Sequence, residues 1–198
     1  MNTTIIPAFL LTPCRRAGIG EDVRLAVTRT ALALALALMC LTCSLHALDG
    51  DFTKPNPRIN YTAFLVQATA AQQVRETHRL SEERFIEVGR SPGVVILDAR
   101  SKERYDQLHI QGAINIPFPD LSEATLAKML PDKNQVILIY CNNNFVNAPK
   151  AFPAKRLEAS LNIPTFITLH SYGYTNVFEL GPLLDVTTTQ IPFVGIKE

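Results

Sequence analysis

Two hydrophobic rhythms alternate along residues 60–180. Short apolar runs rich in branched side chains occur at 94–100 ("VVILDAR"), 135–140 ("QVILIY") and 176–180 ("NVFEL"), a composition that suits strands covered on both faces of a sheet. "GAINIP" at 112–117 reads as a further short strand closed by Pro117. Between these runs the apolar residues recur at helical intervals. Phe64, Ala68 and Ala71 predict a modestly amphipathic helix over Asn60 to Thr77. Ser81 is placed to cap a helix over "EERFIEVGR" that turns Phe85 and Val88 inward and ends at Gly89; Phe64, Phe85 and Val88 are expected in the core. Ser101 caps "KERYDQL", and a helix follows over 123–129. After Cys141 the pattern loosens, because Pro149, Pro153 and Pro164 oppose a regular helix. "TFITLHSYGY" at 165–174 predicts a short helix that stops at Gly173. Strands alternating with helices predict βα units, hence an α/β fold on a mainly parallel sheet.

The amino terminus follows a different logic. Arg24 and Arg29 precede an apolar stretch from Thr30 to Leu45, and Leu45-His46-Ala47 ends in small residues, the pattern of a secretory signal. The stretch is shorter than the roughly 20 apolar residues that span a bilayer, so cleavage after Ala47 is expected rather than an uncleaved anchor, leaving no stable membrane span. This places the protein in the periplasm or outside the cell. Residues 1–22 show no targeting logic of their own. Of 198 residues, 47% are hydrophobic, enough for a real core. Residues 48–198 hold 15 lysines and arginines against 16 aspartates and glutamates, a net charge of −1, so no basic surface argues for nucleic acid. Removing residues 1–47 also takes Cys14, Cys40 and Cys43, leaving Cys141 as a single thiol that cannot form an internal disulfide. The expected organisation is an extension and signal at 1–47, a linker and helix at 48–79, a domain at 80–185 and a tail at 186–198.

Cys141 stands where a buried run hands over to "CNNNFVN" (141–147). The carboxyl-terminal edge of a parallel sheet is where ligands bind, and a thiol attacks as the thiolate, which nearby N–H groups and cations favour. Main-chain amides of Asn142, Asn143, Asn144, Phe145 and Val146 could cradle an anionic sulfur there, and asparagine tolerates left-handed geometry. The same asparagines also read simply as turn formers, and the thiol as a small buried hydrophobe. No clustered ligands accompany His109 or His170, so neither a metal nor an organic cofactor is implied.

Taken in order, "VVILDARSKERYDQLHIQGAINIP", "VILIYC" and "YGYTNVFELGPLLD" make residues 80–185 resemble the rhodanese-like domain. The best-matching pieces are Asp98-Ala99-Arg100, Glu103, the segment from His109, and Tyr140-Cys141. The resemblance implies a single α/β domain, its central sheet flanked by helices on both faces, with Cys141 as a nucleophile. It further implies transfer of sulfane sulfur, as a cysteine persulfide, from a small donor to a thiophilic acceptor. In it Asp98, Arg100 and His109 take structural roles. Two departures stand out. Catalytic members commonly carry arginine or lysine five residues after the cysteine, where this chain has Val146; related phosphatases and arsenate reductases need arginine one position later, where it has Asn147. Phosphate or arsenate chemistry is therefore not expected. In addition, residues 147–164 form an insertion whose Lys150, Lys155 and Arg156 can replace the missing cation, form part of a lid, or belong to a flap that binds a protein partner. Two other readings stay open: a non-catalytic module for a protein partner or small anion, and a redox thiol forming mixed disulfides.

Overall fold

The computed structural model describes residues 55–195. The expected signal at 23–47, the residues before it and residues 196–198 lie outside that range. The described elements run α1 (Tyr61–Arg75), β1 (Arg79–Leu80), α2 (Glu82–Gly89), β2 (Val95–Asp98), α3 (Lys102–Gln107), β3 (Leu108–Ile110), β4 (Ile114–Asn115), α4 (Glu123–Met129), β5 (Ile137–Tyr140), β6 (Phe145–Val146), α5 (Asn162–Ser171), β7 (Val177–Leu180), β8 (Leu184–Asp185) and β9 (Phe193–Gly195), with 3-10 turns at Phe118–Asp120, Asn142–Asn144 and Leu157–Ala159. Five strands form one parallel sheet in the order β1-β7-β5-β2-β4. Helices cover both of its faces, so the chain has the expected α/β architecture.

β5 lies at the centre of this sheet and shows how the two cores divide. All four of its residues are buried, and because side chains alternate along a strand, Ile137 and Ile139 join one core while Leu138 and Tyr140 join the other. The first core receives Ala71 of α1, Leu126 of α4 and Phe166 of α5. The second receives Phe85 of α2 and the aromatic group around Phe145 and Phe152. Ser81, Ser101 and Ser122 each cap a helix by accepting an N–H from the third residue beyond. Gly89 is the last residue of α2, and an added Cβ there would stand 3.2 Å from Ile96 Cδ1: the missing side chain lets helix and strand close together. Gly173 stops α5 with a φ of 88°, the left-handed position after a helix where glycine is favoured.

Two expectations change. Phe64 is 47% exposed. α1 instead packs on α5 through Ala68, Ala71 and Val74, because Phe64, Leu65 and Val66 are consecutive and point to different sides while the alanines permit close approach. α5 begins at Asn162, three residues earlier than predicted; Pro164 sits in its first turn, where a proline's missing N–H has no helical partner to lose. The compact unit that starts at Asn60 includes α1 and the edge strand β1. In the expected tail, β9 pairs antiparallel with β3, setting His109 opposite Val194.

Candidate active site

Cys141 follows β5 directly, with the ends of β2 and β7 on either side. Its backbone is extended, and its N–H donates to Asn144 Oδ1 at 2.9 Å. Residues 142–144 form one 3-10 turn, after which Phe145 and Val146 enter β6 and pair with Leu184 and Asp185 of β8. The five residues expected to cradle the sulfur are thus divided between the turn at 142–144 and strand β6. Phe145 turns into the aromatic core, its ring centroid 4.7 Å from that of Phe152 and 5.1 Å from that of Phe193, while Val146 is half-exposed on β6. The left-handed residue is Asn147, with φ 63°, rather than any of the three asparagines.

Those asparagines act through their side chains. Asn142 donates to Pro153 O at 3.0 Å. Asn143 donates to Lys155 O at 2.8 Å and accepts from Lys155 N at 3.0 Å, a pairing that imitates a strand. Asn144 donates to Leu180 O at 2.7 Å and accepts from Asn162 Nδ2 at 3.2 Å, joining the cysteine loop to the end of β7 and the start of α5. The insertion is thereby held over the thiol. Ser160 Oγ lies 3.4 Å from Cys141 Sγ, and Cys141 is only 1% exposed.

The three cations of the insertion are not brought to the sulfur. Lys150 is exposed, and its carbonyl accepts from Arg104. Arg156 pairs at the surface with Glu158, Nε to Oε1 3.0 Å. Lys155 lines a neighbouring cleft with Arg100, Arg104, Asn142 and Phe118. The cleft that contains Cys141, Ser160 and Asn162 is walled instead by Arg75, Arg79 and Glu179. Glu179 is 2% exposed. Arg75 Nη2 donates to it at 2.9 Å and Arg79 Nε at 3.0 Å, and Glu179 in turn holds Arg79 more firmly protonated than usual. No sequence motif announced these two arginines, which lie about a hundred positions from Glu179. The one available signal was a carboxylate inside the apolar run "NVFEL", since a charge buried in a strand needs a partner.

On the β2 side, Asp98 and Arg100 form a buried ion pair at 2.6 Å. Arg100 also donates to Ala151 O at 2.7 Å and Leu108 O at 2.8 Å, and its guanidinium stacks 4.1 Å from the Phe152 ring centre. Tyr140 donates its hydroxyl to Asp98 Oδ2 at 2.5 Å; burial, then the Asp98 charge, push its phenol well above the usual range. His109 stacks on Tyr105 with centroids 3.7 Å apart, its Nδ1 2.7 Å from the Tyr105 carbonyl. Among the described residues no three His, Cys, Asp or Glu side chains converge as metal ligands.

Comparison with known proteins gives this arrangement its family. The Rhodanese-like domain family matches residues 83–180. The chain is also 34% identical over 95 residues to thiosulfate sulfurtransferase PspE of Escherichia coli (strain K12), an alignment covering 48% of this chain and 76% of the relative. The chain belongs to the rhodanese-like family. Solved structures similar to this rhodanese-like chain include rhodanese with anions from E. coli, 29% identical, covering 52% of this chain and 98% of that one with a TM-score of 0.33. Another is the rhodanese-like domain of an Anabaena protein, 24% identical, covering 60% and 80% with a TM-score of 0.43. Family and relative together support a sulfurtransferase-like role. No helix among the described residues is long and apolar enough to cross a membrane.

Proposed function

We propose that this rhodanese-like protein carries sulfane sulfur on Cys141. The observation that carries the reading is the position of that thiol, at the carboxyl end of the central parallel strand and followed by a one-turn loop, in a chain akin to a thiosulfate sulfurtransferase. In the first step the Cys141 thiolate attacks the outer sulfur of a small donor. A new S–S bond forms, the donor's own bond to that sulfur breaks, and the electron pair leaves with the rest of the donor. For thiosulfate the departing group is sulfite. In the second step a thiophilic acceptor attacks the terminal persulfide sulfur, and Cys141 is released as thiolate. Because the thiol is 1% exposed beneath Ser160, the donor reaches it when the 147–164 insertion lifts.

Intact mass of the purified protein, before and after incubation with thiosulfate or a polysulfide, tests the reading against Cys141→Ser. A reducible gain of one sulfur on the wild type alone is expected. No gain with any donor, in folded protein with a free thiol, would sink it. The covered thiol and the absence of a cation at Val146 favour the alternative, a non-catalytic module that binds a protein partner or small anion through the insertion. The compartment is read from residues 23–47 as periplasmic or extracellular, and amino-terminal sequencing of protein from the native host is expected to begin at Leu48.

A further inference from the structure

Rhodanese-type chemistry on an anionic donor needs positive charge near the nucleophile, and the cysteine loop of this chain has none. The position five residues beyond Cys141 is Val146, and neither Lys150, Lys155 nor Arg156 lines the thiol's cleft. Two cations do line it: Arg75 at the end of α1 and Arg79 in β1. Both lie outside residues 83–180, the segment the family matches.

The charge balance of that wall is unequal. Arg75 and Arg79 share one buried carboxylate, Glu179, and the second partner of Arg79, Glu76, is 57% exposed and screened by water. Glu76 is not among the residues that line the cleft, so the lining itself carries two arginines to one carboxylate. Its polar groups are also incompletely met: Arg75 Nε is buried without a hydrogen-bond partner, and so is Oδ1 of Asn162, a residue only 4% exposed. Buried polar groups ordinarily find partners. A donor N–H and an acceptor oxygen left unmatched beside one cleft describe a place for a polar occupant that offers an acceptor to the arginine and a donor, or a bridging water, to the amide.

We propose that Arg75 and Arg79 form the anion-holding wall of the Cys141 cleft and select sulfur donors that carry a negative group next to the transferable sulfur, the chemistry of thiosulfate and organic thiosulfonates. This rests on the reading of Cys141 as the sulfur carrier. Glu179 accepts from both guanidinium groups, and its charge offsets one of theirs, so it limits rather than builds the pull on an anion.

The test uses calorimetry with thiosulfate and the full-length Cys141→Ser protein, in which binding is separated from sulfur transfer. Adding Arg75→Gln or Arg79→Gln is expected to weaken binding about tenfold, the size of one lost charge-assisted hydrogen bond. Adding Glu179→Gln, which removes the one carboxylate in the cleft's lining, is expected to tighten it severalfold. A role of the cluster in folding alone predicts weaker or unchanged binding in all three, so opposite signs separate the two accounts. Should an arginine variant melt, Glu179→Gln decides by itself. Equal binding across the set, weakening by Glu179→Gln, or no binding to Cys141→Ser overturns the proposal. In parallel, wild-type protein is treated with an uncharged organic trisulfide. There the Cys141 thiolate attacks the central sulfur, one organic thiolate leaves, and a mass gain matching the mixed trisulfide on Cys141 is expected. If the calorimetry fails while that mixed trisulfide still forms and thiosulfate or a polysulfide still adds one sulfur to Cys141, the anion wall falls and the sulfur-carrier reading stands; if no donor sulfurates Cys141, the sulfur-carrier reading falls on its own.

Discussion

Arg100 is the residue on which the β2 side of the site turns. Its guanidinium neutralises Asp98 inside the protein and reaches across to Ala151 of the insertion and Leu108 of β3. Replacing it by methionine keeps much of the volume but leaves Asp98 buried without its counter-charge, which typically costs about 3–5 kcal/mol. Chemical denaturation of Arg100→Met should show a loss of that size, and a change below about 1 kcal/mol would show that the pair contributes little to stability. Tyr140 gives a second prediction. Its folded phenol titrates above the unfolded one, so the native state holds the proton longer, and the associated stability is fully present below about pH 10 and lost as pH rises beyond it. Tyr140→Phe removes this contribution. Denaturation midpoints measured from pH 8 to 11 should fall less steeply for the variant than for the wild type, and parallel curves would count against the shift.

At the level of elements, the insertion is a loop tied down by side chains. Asn143 makes both hydrogen bonds to Lys155, and Asn142 makes the one to Pro153; these stand in for a strand pairing that the prolines forbid. Asn143→Ala should therefore free the segment above the sulfur, and alkylation of Cys141 by a small maleimide should quicken severalfold while the melting temperature moves little. An unchanged rate would mean that the insertion is held elsewhere. The other added element, β9, is held by a different constraint. Gly195 has φ 123°, and a Cβ there would stand 2.3 Å from Gln107 O. Gly195→Ala is expected to unpair β9 from β3, read as faster amide exchange at Leu108 and Ile110; unchanged protection there would exclude a structural role for this glycine.

Across the whole molecule, the sheet extends beyond the family's segment. β1 pairs with β7 through Arg79 opposite Glu179 and Leu80 opposite Leu180, and α1 covers α5. Removing residues up to Leu80 would strip Glu179 of both arginines and uncover Ala71's partners in the first core. Such a truncation should lose cooperative thermal unfolding, whereas a sharp transition near that of the full chain would show that α1 and β1 are dispensable. The central strands, the capped helices and Cys141 as a strand-end thiol were legible in the sequence, because each depends on short-range periodicity, capping or a fixed handover from strand to loop. The two-residue strands β1, β6 and β8 were not legible, since so few residues carry no period and exist only because a partner strand is present. Phe64 was misplaced for a related reason. Three apolar neighbours on one helix leave its inward face undecided until α5 is there to pack against.

By itself, the sequence determined the α/β alternation, the family, and the place of the single thiol among residues 48–198, because these follow from local patterns and from the order of motifs. The tertiary structure alone decided the surroundings of that thiol. It laid Ser160 over the sulfur, kept Lys150, Lys155 and Arg156 away from the cleft, and brought Arg75 and Arg79 to a carboxylate about a hundred positions away. Such a meeting is fixed by strand order, which sets β1 beside β7 and β7 beside β5. No spacing along the chain encodes that order directly.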